Sequence, residues 1–593
     1  MKQLSVLICA ATLAAFTHVP TLAQTPNLSL SADSLFAEWN KPGSPGAAVG
    51  VVHGGKLIYA KGFGEADIET GAPITPQTIF HVASLSKQFS AYAIVLLAQD
   101  GKLALDDDIR KYIPEVPDFG KTITIRHLIH HTSGLRDQWN LLAMAGWRLD
   151  DVITKEQIFN LLKRQQALNF EPGAEFSYCN TGYTLLAEVV ARVGKQPFGE
   201  WMQQRLFKPL GMNNTLFYED HERIVKGRAY SFYKAPQGDK NPFKKSVLSY
   251  ANAGATSLFT TVTDLANWIA NFRTPVVGNA ATMKQMLERG RLTKGDSIPY
   301  AFALSHGTYR GLTYYDHSGA DAGFQSFLCY FPQQDYGFIV LSNQAELSAP
   351  QKAFDLAALY LGSSLNKPEA PAVASLSQSS QKDKVVYPID STLFDRQFAG
   401  SYELIDYPGM IMTYQRKGKR YLAQVTAQGE LEIFPSSDTT FFYKAVNAGV
   451  VFHRPKTGQA ISATHQQNGN YRLRRVMPYV PSAQDKQQLV GSYFSPELET
   501  IYTVKLQKDT LKLVHIHHGE TPLVLSKVNQ LRTSWWFAPD MTVVRDPANQ
   551  ITGLRMSSGR VRNVWFKRLP TNFDQVPVAT VPKPKSTALR RSK

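Results

Sequence analysis

The sequence predicts a layered α/β domain followed by two antiparallel β-barrel-like domains, and three observations carry that expectation. Strand-like alternation stands at both ends of the stretch from Gly46 to Leu361, with helical patterning between, which suits a sheet completed by the chain's return. A run rich in Ser, Pro, Ala, Gln and Lys then reads as a linker over 365–388. Beyond it come short strands and turns, and the chain repeats itself at an offset near ninety residues. Phe398-Ala399-Gly400-Ser401-Tyr402 is echoed by Leu489-Val490-Gly491-Ser492-Tyr493, and Phe441-Phe442-Tyr443 by Trp535-Trp536-Phe537. Val450-Val451-Phe452 with Ile461 is echoed by Val543-Val544 with Ile551. Closure into barrels removes exposed strand edges, and the repeats are expected over 389–478 and 483–570.

The chain opens on Lys2, an apolar stretch from Leu4 to Phe16, and Thr21-Leu22-Ala23. Small residues at both ends of that tripeptide suit cleavage after Ala23, so 1–23 is expected to be a signal peptide and the mature protein periplasmic or secreted. Cys9 lacks the small residue before it that a lipid-anchoring site needs. No other stretch is long and apolar enough to span a bilayer. The 593 residues call for two to four domains. A composition 43% hydrophobic and 19% charged is that of an ordinary globular protein. Cys179 and Cys329 form no disulfide framework and are expected as two small buried hydrophobes. The net charge of +16 is spread thinly, apart from a tail at 571–593 expected to be disordered and basic. An exported chain without a basic aromatic groove is a poor partner for nucleic acid. Its charge suits a solvated face before it suits anionic envelope polymers, and association with peptidoglycan is a partner expectation apart from charge.

Within the first domain, expected over 28–364, Ser34 to Trp39 reads as a helix start and Gly46 to Ala60 as two strands turning at His53-Gly54-Gly55-Lys56. A buried helix is expected through the apolar run Ala91 to Leu97. Ile123 to Leu135 reads as a helix opened by a threonine cap and closed by Gly134. Thr154 to Met212 is mostly helical, broken at Glu171-Pro172-Gly173, and Thr263-Asp264 caps a helix to about Phe272. Strands follow at Tyr314–Asp316, Phe324–Phe331 and Gly337–Leu341, then a helix at Lys352–Leu361.

Just before the buried helix stands His81-Val82-Ala83-Ser84-Leu85-Ser86-Lys87. A serine three residues before a lysine on a helix shares its face, so the amine reaches the hydroxyl. A lysine whose pKa is lowered takes that proton and makes serine a nucleophile. Ser231-Phe232-Tyr233-Lys234, Ser364-Leu365-Asn366-Lys367 and Ser379-Ser380-Gln381-Lys382 share the letters but not the setting. A second motif, Glu171-Pro172-Gly173 through Tyr178-Cys179-Asn180, presents a phenol and an amide after a turn and before a helix. These supply a further general base and a donor to a substrate carbonyl. Tyr250-Ala251-Asn252 has the same short form without the turn or the helix. The third is His317-Ser318-Gly319-Ala320 entering a strand, where glycine admits a close backbone and the next amide points at an oxyanion. His53-x-Gly55 and His517-x-Gly519 match its letters elsewhere.

In this order and context the three motifs resemble those of the serine β-lactamase and penicillin-binding-protein superfamily. The closest likeness is to its class C β-lactamase, D-aminopeptidase and esterase-like branch, and Thr132–Leu135 and Leu206–Met212 look like that branch too. The resemblance implies an antiparallel sheet with helices on both faces plus an all-helical region. It makes Ser84 the acylated nucleophile, Lys87 its proton acceptor and Tyr178 the base for acylation and deacylation. Asn180 would orient the substrate amide, with the N–H groups of Ser84 and Ala320 as oxyanion hole and Gly319 clearing the strand edge. His317 stands where β-lactamases place a lysine. Largely neutral at pH 7, it grips a substrate carboxylate less firmly, which favours the peptidase and esterase members. D-aminopeptidases of the superfamily are similar in adding two β-barrel domains.

His127, His130 and His131 have ligand-like spacing but suit a helix end, and His515, His517 and His518 suit a surface strand, so no metal is expected. The expected protein is an exported serine hydrolase acting through an acyl-enzyme on small peptides, amides, esters or β-lactams, D-amino-acid peptides among them, without a cofactor. Its alternatives are a carboxylesterase, a β-lactamase, or a penicillin- or peptidoglycan-binding protein that does not turn over.

Overall fold

The computed structural model describes residues 28–366, 386–407, 409–453, 458–467 and 469–570. The expected signal peptide, residues 367–385 of the expected linker and the basic tail lie outside the described residues. At the centre, the Ser86–Gln99 helix is buried at every residue from Ser86 to Leu97, because neighbours cover its whole circumference. Beside it stands a six-stranded antiparallel sheet. Its order is Ser305–Tyr309, Leu312–Asp321, Phe324–Phe331, Tyr336–Ser342, Ala47–His53 and Lys56–Phe63. The first hairpin therefore pairs with the last strand, Ala47 opposite Ser342.

Side chains along Ala47–His53 go alternately to two cores, as the pleat requires when both faces are covered. Ala48 and Val52 join the cluster around the central helix. Ala47, Val49 and Val51 join a second cluster with residues of the Ala349–Leu361 helix. The helical region comprises Ile125–Ile129, Gln138–Ala145, Lys155–Arg164, Asn180–Gly194 and Phe198–Met202.

Four local expectations need correction. The chain opens with a helix at Leu28–Ser34 and a 3-10 turn at Ala37–Trp39, so Ser34 ends a helix. The helix after Thr124 stops at Ile129, not at Gly134. His131 takes φ 58° there, and the N–H groups of His131 and Thr132 return to the carbonyls of Leu128 and His127, a Schellman ending in which histidine fills the usual glycine position. The cap of Val262–Arg273 is Thr261. Finally, the strand Thr510–His515 ends before His517, and His517 and His518 bond the carbonyl oxygens of Gly146 and Ala143. They cover the open end of the Gln138–Ala145 helix, whose last carbonyls have no partner within the helix.

The first C-terminal unit is a closed eight-stranded barrel, with Gly400–Leu404 pairing Asn470–Val476 to shut it. The second is a nine-stranded antiparallel sheet whose end strands, Gly519–Pro522 and Val524–Lys527, are separated by Leu523 alone. It is a nearly closed barrel. The internal repeat is visible in its bonds. Tyr402 donates to the Phe398 carbonyl at 3.0 Å and Tyr493 to that of Leu489 at 2.8 Å. Ser401 bonds Thr413 as Ser492 bonds Thr503.

The second unit is built into the first domain. Leu141, Leu142, Met144, Ile158 and Tyr250 share one apolar cluster with Tyr502, Leu513, Leu554 and Phe566. Beside that cluster Arg136 and Glu497, 2% and 3% exposed, form a buried ion pair. Among the described residues no helix is long and apolar enough to cross a membrane.

Candidate active site

Ser84 sits in the 3-10 turn Ala83–Leu85, which runs straight into the central helix. Ala83 holds φ 47°, a left-handed conformation costly for any residue with a Cβ. The Ser86 hydroxyl braces this turn, donating to the Ala83 carbonyl and accepting the Leu258 N–H at 3.0 Å. Lys87, fully buried, donates to Ser84 Oγ at 3.0 Å, to Asn180 Oδ1 at 2.8 Å and to the Ala255 carbonyl at 2.6 Å. Burial lowers its pKa to about 7, with Asp137 opposing and Arg560 reinforcing the fall.

Asn180 opens the Asn180–Gly194 helix. Asp137 accepts both its backbone N–H and its Nδ2. Tyr178, two residues earlier, buries its hydroxyl without a hydrogen-bond partner in the protein. Burial raises its pKa, while Ser84 and Arg560 favour the ionised form. Two cations flank its ring, Lys87 Nζ at 4.9 Å and the Arg560 guanidinium at 5.0 Å from the centroid. His131 supports this loop: its Nδ1 accepts the Cys179 N–H at 3.1 Å and its ring lies 4.2 Å from that of Tyr178. His127 completes the Thr124 capping box, and His130 packs on Phe302. Cys179 and Cys329 are free and buried.

The strand Leu312–Asp321 brings the third motif alongside. A Cβ on Gly319 would overlap the Val82 carbonyl and lie 3.1 Å from the Ser84 backbone nitrogen, so only glycine lets the strand come this near. Ala320 follows at the mouth. His317 is buried with both ring nitrogens engaged. A carbonyl only accepts, so Nδ1 donates to the Ser318 oxygen at 2.6 Å, and Nε2 accepts from the Tyr300 hydroxyl at 3.0 Å. Burial and Lys87 lower its pKa to about 3.

Ser84, Tyr178, Asn180, His317 and Ala320 line one cleft of about 470 Å³, with Lys87 and Gly319 directly behind. Of the motif look-alikes, Ser379–Lys382 and Lys367 fall outside the described residues, and among the described ones Tyr250 lines the cleft and donates to Asp321 at 3.1 Å. Sequence reasoning missed Asp137, Trp139, Thr256, Asp321 and Arg560, all at or beside the cleft. Asp321 directly follows the third motif on its strand, while Asp137, Trp139, Thr256 and Arg560 come from other parts of the chain. Among the described residues no group of three or more His, Cys, Asp or Glu is placed to hold a metal.

Comparison with known proteins places the chain in a family. A family model described as Beta-lactamase matches residues 32–361. The chain is 28% identical over 413 residues to Penicillin-binding protein 4* of Bacillus subtilis, covering 67% of this chain and 88% of that one. It is 29% identical over 306 residues to Protein flp of Staphylococcus aureus, covering 50% and 59%. In fold it is similar to the octameric penicillin-binding protein homologue from Pyrococcus abyssi, with TM-score 0.52, 21% identity, and 75% and 99% of the two chains covered. With more than half its length matched, the chain belongs to the beta-lactamase family, within the serine β-lactamase and penicillin-binding-protein superfamily.

Proposed function

We propose that this family member is an exported serine hydrolase that forms an acyl-enzyme on Ser84, acting on amide or ester bonds of small peptides, D-amino-acid peptides among them. The observation that carries the reading is the buried Lys87 amine, 3.0 Å from Ser84 Oγ and lowered to about 7. Near neutrality a large fraction of it is free base. Lys87 takes the Ser84 proton as Oγ attacks the carbonyl carbon. The oxyanion lies between the N–H groups of Ser84 and Ala320. Asn180 holds the substrate amide. Tyr178, whose phenol burial keeps protonated, serves as a relay from Lys87 to the leaving amine, and not as the resting base that the family resemblance suggests. Water then cleaves the ester by the same groups in reverse, with no cofactor.

A second reading is a protein acylated by penicillin or peptidoglycan fragments that does not turn over. The name of the Bacillus relative favours it. Intact-mass spectrometry after fluorophosphonate treatment, with Ser84→Ala as control, tests both. One adduct on wild type and none on the variant is expected; labelling of both would place the nucleophile elsewhere. Release of p-nitrophenol beyond one equivalent from a D-alanyl ester then separates turnover from capture.

A further inference from the structure

We propose that Arg560, from the second C-terminal β unit, is the group that anchors a carboxylate of the substrate. This rests on the hydrolase reading of the cleft and assigns it a substrate class, peptides with a free acid. Arg560 lies at the tip of the hairpin Ile551–Ser558 and Val561–Arg568, lines the cleft with Ser84 and Asn180, and stands 5.0 Å over the Tyr178 ring.

The tip is fixed by its backbone, not by its side chain. The Arg560 carbonyl accepts the Asp137 N–H at 3.2 Å and Asn169 Nδ2 at 2.9 Å. Asn140 Nδ2 donates to Ser558 at 3.0 Å, and the Arg562 N–H to Asn169 Oδ1 at 2.8 Å. The guanidinium is left free to act. Arg562 pairs with Glu175 and Arg136 with Glu497, yet among the described residues no carboxylate stands within ion-pair distance of Arg560. Asp321, the acid that lines the cleft, is occupied by the hydroxyls of Tyr250 and Thr256.

The other basic side chains at the cleft are already engaged. His317 is neutral, with both nitrogens bonded. Lys87 is held by three acceptors. Arg560 is thus the permanently charged, unpaired donor fork in the cleft, a shape that matches a carboxylate bidentately.

Binding is read in full-length Ser84→Ala, apart from the chemistry, by calorimetry with N-acetyl-D-alanyl-D-alanine and its C-terminal carboxamide, which differ by one charge. The acid is expected to bind about tenfold to a hundredfold more tightly, the worth of a charge-assisted hydrogen bond. Adding Arg560→Gln is expected to bring the acid-to-amide ratio close to one, and Arg560→Lys to restore part of it. A merely structural arginine would lower both affinities together and leave the ratio intact. Equal affinities for the two ligands, no binding of either, a preference for the amide, or an unchanged ratio in Arg560→Gln would each overturn the proposal. Fluorophosphonate labelling of wild type reports on the nucleophile independently, so failure of the anchor and failure of the hydrolase reading are told apart.

Discussion

One carboxylate oxygen of Asp137 accepts the Asn180 backbone N–H at 2.7 Å and its Nδ2 at 2.8 Å, which leaves Oδ1 as the atom turned to Lys87. The other oxygen caps the Gln138–Ala145 helix through the Trp139 N–H. Asp137 is a positioning residue, since it touches the amide and not the reacting atoms. Asp137→Ala is expected to cost about a hundredfold in kcat/KM, the scale of a misplaced catalytic group. The lost cap and unsatisfied donors would cost about 1–3 kcal/mol of stability. Asp137→Asn, which keeps one acceptor, should recover part of the rate. Steady-state kinetics beside thermal melts decide the matter; equal activity in Asp137→Ala would remove Asp137 from the mechanism.

Acylation should gain with pH through about 7, because the proton acceptor is the free amine of Lys87. Stopped-flow labelling across pH is the measurement, and a rate flat through that range would show that Lys87 is not the base.

The same residue sets a stability slope. Its folded pKa lies near 7 and its ordinary value is 10.5, so between the two the unfolded chain binds a proton that the folded one does not. Stability contributed at this position therefore rises with pH across that window and is lowest below it. In Lys87→Met the slope disappears, and the melting temperature relative to wild type should move in the variant's favour as pH falls. An unchanged difference across pH would contradict the buried, depressed amine.

Gly319→Ala should keep the fold and lose activity by about a hundredfold or more. The added methyl meets the Val82 carbonyl beside the Ser84 nitrogen, so the strand must retreat from the nucleophile. Kinetics with a small ester report it, and full activity would show that the strand has slack.

Glu497→Ala should destabilise by about 3–5 kcal/mol, since it strands Arg136 as a buried charge without its partner. Limited proteolysis should then cut first between the catalytic domain and the second β unit. Joint replacement of both residues by apolar ones should recover most of the loss.

The residues of the candidate site were legible because each motif is local. Ser84 and Lys87 share a turn, Tyr178 and Asn180 a loop, and Gly319 and Ala320 one strand, so residue type and spacing identify them. Asp137, Asp321 and Arg560 were not, because their meaning comes from partners far along the chain. The early end of the Ile125–Ile129 helix was missed because His131 took a conformation for which sequence points to glycine. The barrels were readable from an echo whose physical content is a repeated tyrosine bond. That the second of them contributes Arg560 to the wall of the cleft had no trace in composition or spacing.

The apolar face shared by Leu141, Leu142 and Met144 with the last β unit has a consequence for how the protein comes into being. Synthesis runs from the N-terminus, so Ser84 and Lys87 are made early, while Arg560 and the cover for that face come much later. A chain clipped before the final unit carries the nucleophile and its base, but also a bare leucine surface and an unanchored Asp137 amide. Such a fragment would expose an aggregation-prone face and would present Ser84 in a cleft that lacks Arg560. The cleft and the cover of that face thus arrive together, with the second β unit.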